Sequence, residues 1–175
     1  MLGIRYMKAP PTTFVLQYKS GQLKRSGPGL SFFYYAPTST LVQVPIGSSD
    51  IPFVFTQVTS DFQTVTVQGQ LTFRVNDPKK LAALLDHSIG ANGKYLSDDP
   101  QKVAERLVSA AQILTQQVVG TLSLRQALAA SGQVVEGVLS GLKKSEAVSM
   151  LAVEILSFAV VSIKPTPEMA RALEA

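Results

Sequence analysis

Catalysis needs side chains that exchange protons, hold metals or attack bonds, and this 175-residue chain is poor in them. It contains no cysteine, which excludes disulfides, thiolate nucleophiles and cysteine metal ligands. Its one histidine, His87 in "LLDHSIG", stands beside Ser88. A catalytic histidine requires a nucleophile and an orienting acid held in space, and adjacency in sequence supplies neither. His87 reads instead as a polar residue at a helix end, where the dipole favours a cation. Asp98 and Asp99 in "SDDP" are paired carboxylates of the kind that do acid–base work or bind a hard cation. Pro100 follows at once, and Asp before Pro opens a helix, so capping accounts for Asp99. The stretch "SGPGL", Ser26 to Leu30, is rich in glycine but lacks both the Lys-Ser/Thr of a phosphate loop and dinucleotide spacing. No catalytic, cofactor-binding or metal-binding residue is expected, and no enzyme activity.

Binding is the remaining class of function. "IGANGK", Ile89 to Lys94, holds a G-x-x-G loop followed by a lysine, the arrangement with which KH domains clamp a nucleic-acid backbone. A pI near 9.4 suits that reading. Against it, a KH helix starts directly after the second glycine, whereas here "YLSDDP" intervenes and the cap falls at Asp99. The plainer reading of Gly90–Gly93 is a loop that closes one helix and lets the next begin. Charge points to another part of the chain. The first 49 residues hold Arg5, Lys8, Lys19, Lys24 and Arg25 and no acid, while the remainder carries eleven basic and twelve acidic residues. A single-signed region attracts an anionic partner, either a membrane surface or a nucleic acid, although scattered surface lysines would give the same count. Interleaved aromatics, Phe14, Phe32, Phe33, Tyr34 and Tyr35, belong to the same region, and Phe53 and Phe55 follow just beyond it. Strand alternation should bury about half of them, leaving those near turns free. The residues expected to meet an anionic membrane are Lys8, Lys19, Lys24, Arg25, Phe32 and Phe53.

These residues must be positioned by strands. Runs "TFVLQY", "LSFFYY", "TLVQVPI" and "PFVFTQV" are separated by the turn clusters "SGQ", "SGPG", "APTS" and "GSSD". The clearest strand is "DFQTVTVQGQLTFRV", with Val65, Val67, Leu71, Phe73 and Val75 on one face and Gly69 in their register. A glycine in mid-strand predicts a bulge or a close backbone approach. The second half reads as helices. Asp77 before Pro78, Asp99 before Pro100 and Ser123 with Gln126 three residues on are start signals. The helix from Pro100 places Val103, Leu107, Ala110, Ala111, Leu114 and Val118 on one stripe and stops at Gly120. "GQVVEGVLSGLKK" is helical in pattern but weakened by three glycines. Leu151 to Ile163 is a late strand, apolar on both faces and so expected to be central in its layer. The fold class is α+β: an antiparallel meander, then helices, one late strand and a terminal helix. The chain reads as a single domain with a β-rich part over about 12–76, a helical part with the closing strand over 77–164, and the start of a helix over 165–175.

No apolar run reaches the roughly 20 residues of a bilayer span, and "MLGIRYMKAPP" lacks the apolar core of a secretory signal. The terminal "PTPEMARALEA" starts a helix of only about two turns, too short to hold itself together in water.

Taken in order, four motifs resemble the SPFH (band-7) domain of stomatin, prohibitin, flotillin and HflK/HflC. They are "GQLKRSGPGLSFFYYAPTSTLVQVPI", "QTVTVQGQLTFRVNDPKKLA", "VVGTLSLRQALA" and "MLAVEILSFAVVSIKPTPEMARALEA", and the likeness runs from about residue 12 to the end. The resemblance implies a non-enzymatic scaffold that self-assembles and organises membrane patches or membrane proteins, with a membrane protease or its substrates among its partners. It implies that the terminal helix leads into a coiled coil that drives homo-oligomers, and that the coiled coil would begin where this sequence stops. The family's membrane-anchoring segment has no counterpart before the first expected strand near Thr13, so a peripheral, cytoplasmic location is expected. Nucleic acid is the less favoured partner.

Overall fold

The alternating pattern of 64–75 becomes one long strand because β-branched and aromatic residues occupy every second position and only one face is apolar. Val65, Val67, Leu71, Phe73 and Val75 are all buried, and the residues between them face outward or are half-buried. This computed structural model describes residues 2–167 and 171, and the chain forms two compact units. Unit 1 comprises 1–48 and 75–103, and unit 2 comprises 49–74 and 104–175. Each unit therefore takes strands from the first half of the chain and helix from the second. In chain order the strands come first, then the helices and one late strand, which is the α+β order expected from the sequence, and the two units each draw on both parts.

Unit 1 contains β1 (Ile4–Lys8), β2 (Thr13–Lys19), β3 (Gln22–Pro28), β4 (Ser31–Tyr35), β5 (Ser39–Pro45), α1 (Pro78–Leu84) and β8 (Ser88–Ile89). Strands β1 and β4 pair antiparallel as a two-stranded ribbon. The larger sheet runs β3-β2-β5-β8. Its central strand β2 is buried on both faces at Val15, Leu16 and Gln17. On one face Val15 and Leu41 pack with Met7 and Phe32 of the ribbon, and Leu30, Tyr34 and Ile89 close around them. Helix α1 packs on β5, and its buried residue is Leu81. Asp77 caps α1 as expected, its carboxylate accepting the Lys80 backbone N–H at 3.2 Å.

The first 28 residues hold more strand than the sequence predicted, since β1 precedes the first expected strand near Thr13 and β3 spans a stretch bounded by the expected turns "SGQ" and "SGPG". β3 is a polar run, "QLKRSGP", and so carries no alternating apolar signal. What stabilises it is ladder pairing to β2, from Phe14 opposite Pro28 to Lys19 opposite Gln22, with a register shift at Gln17/Tyr18.

Unit 2 contains β6 (Ser49–Val58), β7 (Thr64–Val75, to Arg74), α2 (Asp99–Val119, from Ala104), α3 (Leu124–Ala129), α4 (Ser131–Lys144), α5 (Glu146–Ser149) and β9 (Val153–Pro165). Its sheet has the order β6-β7-β9. The late strand is thus an edge and not the centre of its layer, and Leu156 and Val161 are exposed on it. Apolar composition overstated its burial because an edge strand leaves one flank uncovered. Gly69 marks the close approach that its position in mid-strand predicted. Any Cβ there would run into the backbone carbonyl of Ala159 on β9 and lie 2.7 Å from the Phe53 ring. β6 and β7 pair without a break from Ser49/Phe73 to Val58/Thr64, so the bulge alternative does not occur.

The buried stripe of α2 is rotated from the predicted one: Val103, Leu107, Ala111, Thr115 and Val119 are buried, and Ala110, Leu114 and Val118 only partly. Thr115 was missed as a polar residue, but its hydroxyl is satisfied by the Ala111 carbonyl at 2.7 Å. The glycines of α4 explain why Leu114 and Val118 lie at the flank. A Cβ on Gly137 would stand 2.8 Å from Val118, and one on Gly141 would stand 2.7 Å from Leu114. Glycine here costs helix propensity and admits α2 to close packing. Ser123 and Gln126 form the predicted capping box at the start of α3. The expected terminal helix over 165–175 lies mostly outside the described residues.

Candidate membrane-contact face

The ribbon of unit 1 has an inner and an outer face because successive strand side chains alternate. Met7 and Phe32 point inward to the core. Ile4, Tyr6, Phe33 and Tyr35 point outward and are 49%, 55%, 70% and 50% exposed. Register places Ile4 opposite Tyr35 and Tyr6 opposite Phe33, so the four form one block, with the Tyr6 and Phe33 rings 4.8 Å apart. Leu2 is wholly exposed just before the ribbon. A contiguous outward block of large apolar side chains is unusual on a soluble surface and marks a contact face. Tyrosine suits such a place, since its ring is apolar and its hydroxyl stays wet.

Cations surround the block. Lys8 extends β1 from the same outer face, and Lys19 and Lys24, on β2 and β3, are exposed. Ile4, Phe33 and Tyr35 line a hollow together with Lys19 and Lys24. Arg25 is only half exposed, with its guanidinium 4.5 Å from the centre of the Phe32 ring. A cation over an aromatic face is held there, so Arg25 serves the fold at least as much as any surface.

The structure corrects two expected contact residues. Phe32 and Phe53 are each only 5% exposed. Phe32 sits in the unit 1 core, and Phe53 stacks between Phe55 and Phe158 of unit 2, with centroids 4.4 and 5.0 Å away. Alternation does bury one residue of each neighbouring pair, and the register of the ribbon leaves Phe33 and Tyr35 as the exposed ones. Ile4 and Tyr6 were missed because β1 was not predicted. The alternation of "IRYMK" was the available signal, obscured by its position beside the chain start.

Other candidates take structural roles. His87 is buried, and its Nδ1 donates to the Leu85 carbonyl at 2.9 Å while Tyr95 packs edge-on at 5.7 Å. It follows α1, as expected of a polar residue at a helix end, and it is buried there. Burial also pushes the Tyr95 phenol above its ordinary range, and its hydroxyl donates to the Gln43 carbonyl at 2.8 Å. Asp99 is the first residue of α2, and its carboxylate accepts the Asp86 backbone N–H at 3.0 Å and pairs with Lys102 at 2.9 Å. The Asp86 carboxyl is held below its ordinary range, first by the Ser88 hydroxyl and then by the Ser88 backbone N–H, which it accepts at 2.9 Å. Gly90–Gly93 closes a hairpin turn, in which the Gly90 N–H reaches the Lys94 carbonyl at 2.8 Å and Ile89 bridges Tyr95. A KH clamp joins two helices, and this loop joins two extended segments.

A profile of the SPFH domain / Band 7 family matches residues 7–175. The chain belongs to that family. No curated protein sequence matches it. Band 7 proteins are in general membrane-associated, non-enzymatic scaffolds. Among the described residues of this Band 7 chain, no helix is long and apolar enough to cross a membrane.

Proposed function

We propose that this Band 7 chain is a peripheral scaffold module that rests on an anionic, cytoplasm-facing membrane through the outer face of the β1–β4 ribbon. The observation that carries the reading is the exposed block Ile4, Tyr6, Phe33 and Tyr35 beside Lys8, Lys19 and Lys24. The apolar side chains enter the headgroup region while the lysines meet lipid phosphates, each worth about 1 kcal/mol near the surface. Contact of this size is weak and reversible, so assembly of many copies would multiply it. Self-assembly through a coiled coil continuing the C-terminal helix, and organisation of membrane proteins such as a protease or its substrates, belong to the same proposal and rest on the family alone.

The test is co-sedimentation with vesicles of phosphatidylserine and phosphatidylcholine across a salt series. Wild type should bind at low salt and release as the Debye length shrinks from about 10 Å at 0.1 M to about 3 Å at 1 M. Tyr6→Ser with Phe33→Ser should remove most binding at every salt concentration, and Lys19→Glu with Lys24→Glu should remove the salt-dependent part. Equal binding by all three proteins overturns the proposal.

A further inference from the structure

Beside the ribbon lies a hollow of about 240 Å³ in unit 1. Its lining joins the buried Gln17 and the half-buried Ser39 and Tyr34 to the exposed Lys19, Lys24, Phe33 and Tyr35, with Ile4 beside them. Gln17 is 1% exposed, on a strand buried on both faces. Its amide nitrogen donates to the Ser39 hydroxyl at 3.3 Å, and its amide oxygen, also buried, has no hydrogen-bond partner. Reversing the amide exchanges an orphan acceptor for an orphan donor and leaves the deficit in place. A buried orphan of this kind is costly, and native proteins rarely retain one without an occupant. The volume far exceeds the roughly 30 Å³ share of one water.

We infer that this hollow binds a hydroxylated phosphate headgroup, a polyol phosphate carried by an anionic lipid such as phosphatidylglycerol. A hydroxyl both donates and accepts, so it satisfies Gln17 in either amide orientation. The phosphate falls to Lys19 and Lys24 at the mouth, where ammonium groups act as point charges. Lys19 shares the face of Gln17 on β2, two residues on, and is paired with Ser39 of β5. Lys24 is the extra residue where the β2–β3 register shifts between Gln17 opposite Arg25 and Tyr18 opposite Leu23. The irregularity thus places a second cation at the hollow. Phe33 and Tyr35 serve both the walls of the hollow and the exposed block, so a lipid bound here keeps its acyl chains on the apolar side. This inference rests on the membrane reading above and adds headgroup selectivity to it.

The experiment compares vesicles of equal charge density, one containing phosphatidylglycerol and the other phosphatidylserine, whose headgroup has no hydroxyl. Wild type should bind the phosphatidylglycerol vesicles about three- to tenfold more tightly, the worth of one or two hydrogen bonds. Gln17→Leu keeps the buried volume and should equalise the two lipids without losing binding. Should wild type not discriminate between the lipids, or Gln17→Leu keep the preference, the amide holds only water and the inference is overturned. Absence of binding to either vesicle would defeat the membrane reading itself, a different result. A second arm titrates soluble glycerol 1-phosphate against wild type and follows the Gln17 side-chain NH₂ resonances by NMR. Saturable shifts in glycerol 1-phosphate, absent in inorganic phosphate, support the hydroxyl contact. Saturation at micromolar glycerol 1-phosphate would show a soluble metabolite site and overturn the lipid assignment.

Discussion

The two units handle the same residue types in opposite ways. Unit 1 holds nine basic and four acidic residues and all five tyrosines of the chain, while unit 2 holds seven basic and eight acidic residues and no tyrosine. In unit 1 a whole strand face of large apolar residues is turned outward at Ile4, Tyr6, Phe33 and Tyr35. In unit 2 the phenylalanines stack inside: Phe53 lies parallel to Phe55 and Phe158, and Phe73 is buried with them in the sheet. Its exception is Phe62, exposed at the β6–β7 turn with φ of +61°. The aromatics of unit 2 are mostly buried, whereas those on the outer face of the unit 1 ribbon, Tyr6, Phe33 and Tyr35, are exposed.

Phe53→Ala gives the sharpest test of that division. It empties a stacked site and should lower stability by about 3–5 kcal/mol, read as a shift in the urea midpoint. A loss under 1 kcal/mol would show that unit 2 tolerates its aromatics as loosely as the ribbon does. Next comes Gly137→Ala, which drives a methyl against Val118 and should cost about 1–3 kcal/mol. Gly132→Ala in the same helix meets nothing within 4 Å and should instead stabilise by about 0.4–1 kcal/mol. Opposite signs in one helix would confirm that its glycines serve packing at one place and not at the other.

Asp61 makes the comparison pH-dependent. Its carboxylate accepts from the Thr59 hydroxyl and from the Leu124 backbone N–H, which ties the β6–β7 turn to the start of α3. The Thr59 hydrogen bond is the main reason its carboxyl titrates below the ordinary 3.8. A carboxyl depressed by folding stabilises the native state above its unfolded value, and that contribution is lost as pH falls through the lower, folded value. Wild type should therefore lose more stability than Asp61→Asn between pH 5 and pH 3, measured by urea melts at each pH. Parallel curves would exclude the carboxylate as the source. Smallest of all is the expected stability change of Phe33→Ser, within about 0.5 kcal/mol, since the side chain is mostly exposed. A large loss there would mean that the ribbon's outer face is structural and not a contact surface.

How much the sequence disclosed depended on whether a segment is organised by its own pattern or by its neighbours. β7, the capping box at Ser123 and the Asp77 start were legible because alternation and cap chemistry are local. β3 and the edge position of β9 were not. The first is a polar strand held chiefly by its ladder to β2, and the second reads as central on composition but has no partner strand on one flank among the described residues. The cations of the candidate face were legible from charge, while Phe32 and Phe53 were chosen from residue type where register decides. Gln17 gave no signal, since a glutamine in "TFVLQYK" looks like an ordinary surface position until both sheet faces are seen to be covered.

The edge position of β9 has a mechanical consequence. Its antiparallel pairing to β7 runs from Arg74 with Glu154 at one end to the Thr166 N–H with the Thr64 carbonyl at the other. A load applied at Pro165 and directed away from the sheet meets the backbone bonds between β9 and β7 one after another, and each yields alone. The same load directed along the strand meets them together, in shear, with Ala159 seated over Gly69 as a catch. The direction of pull, more than its size, decides whether the strand peels or the unit holds.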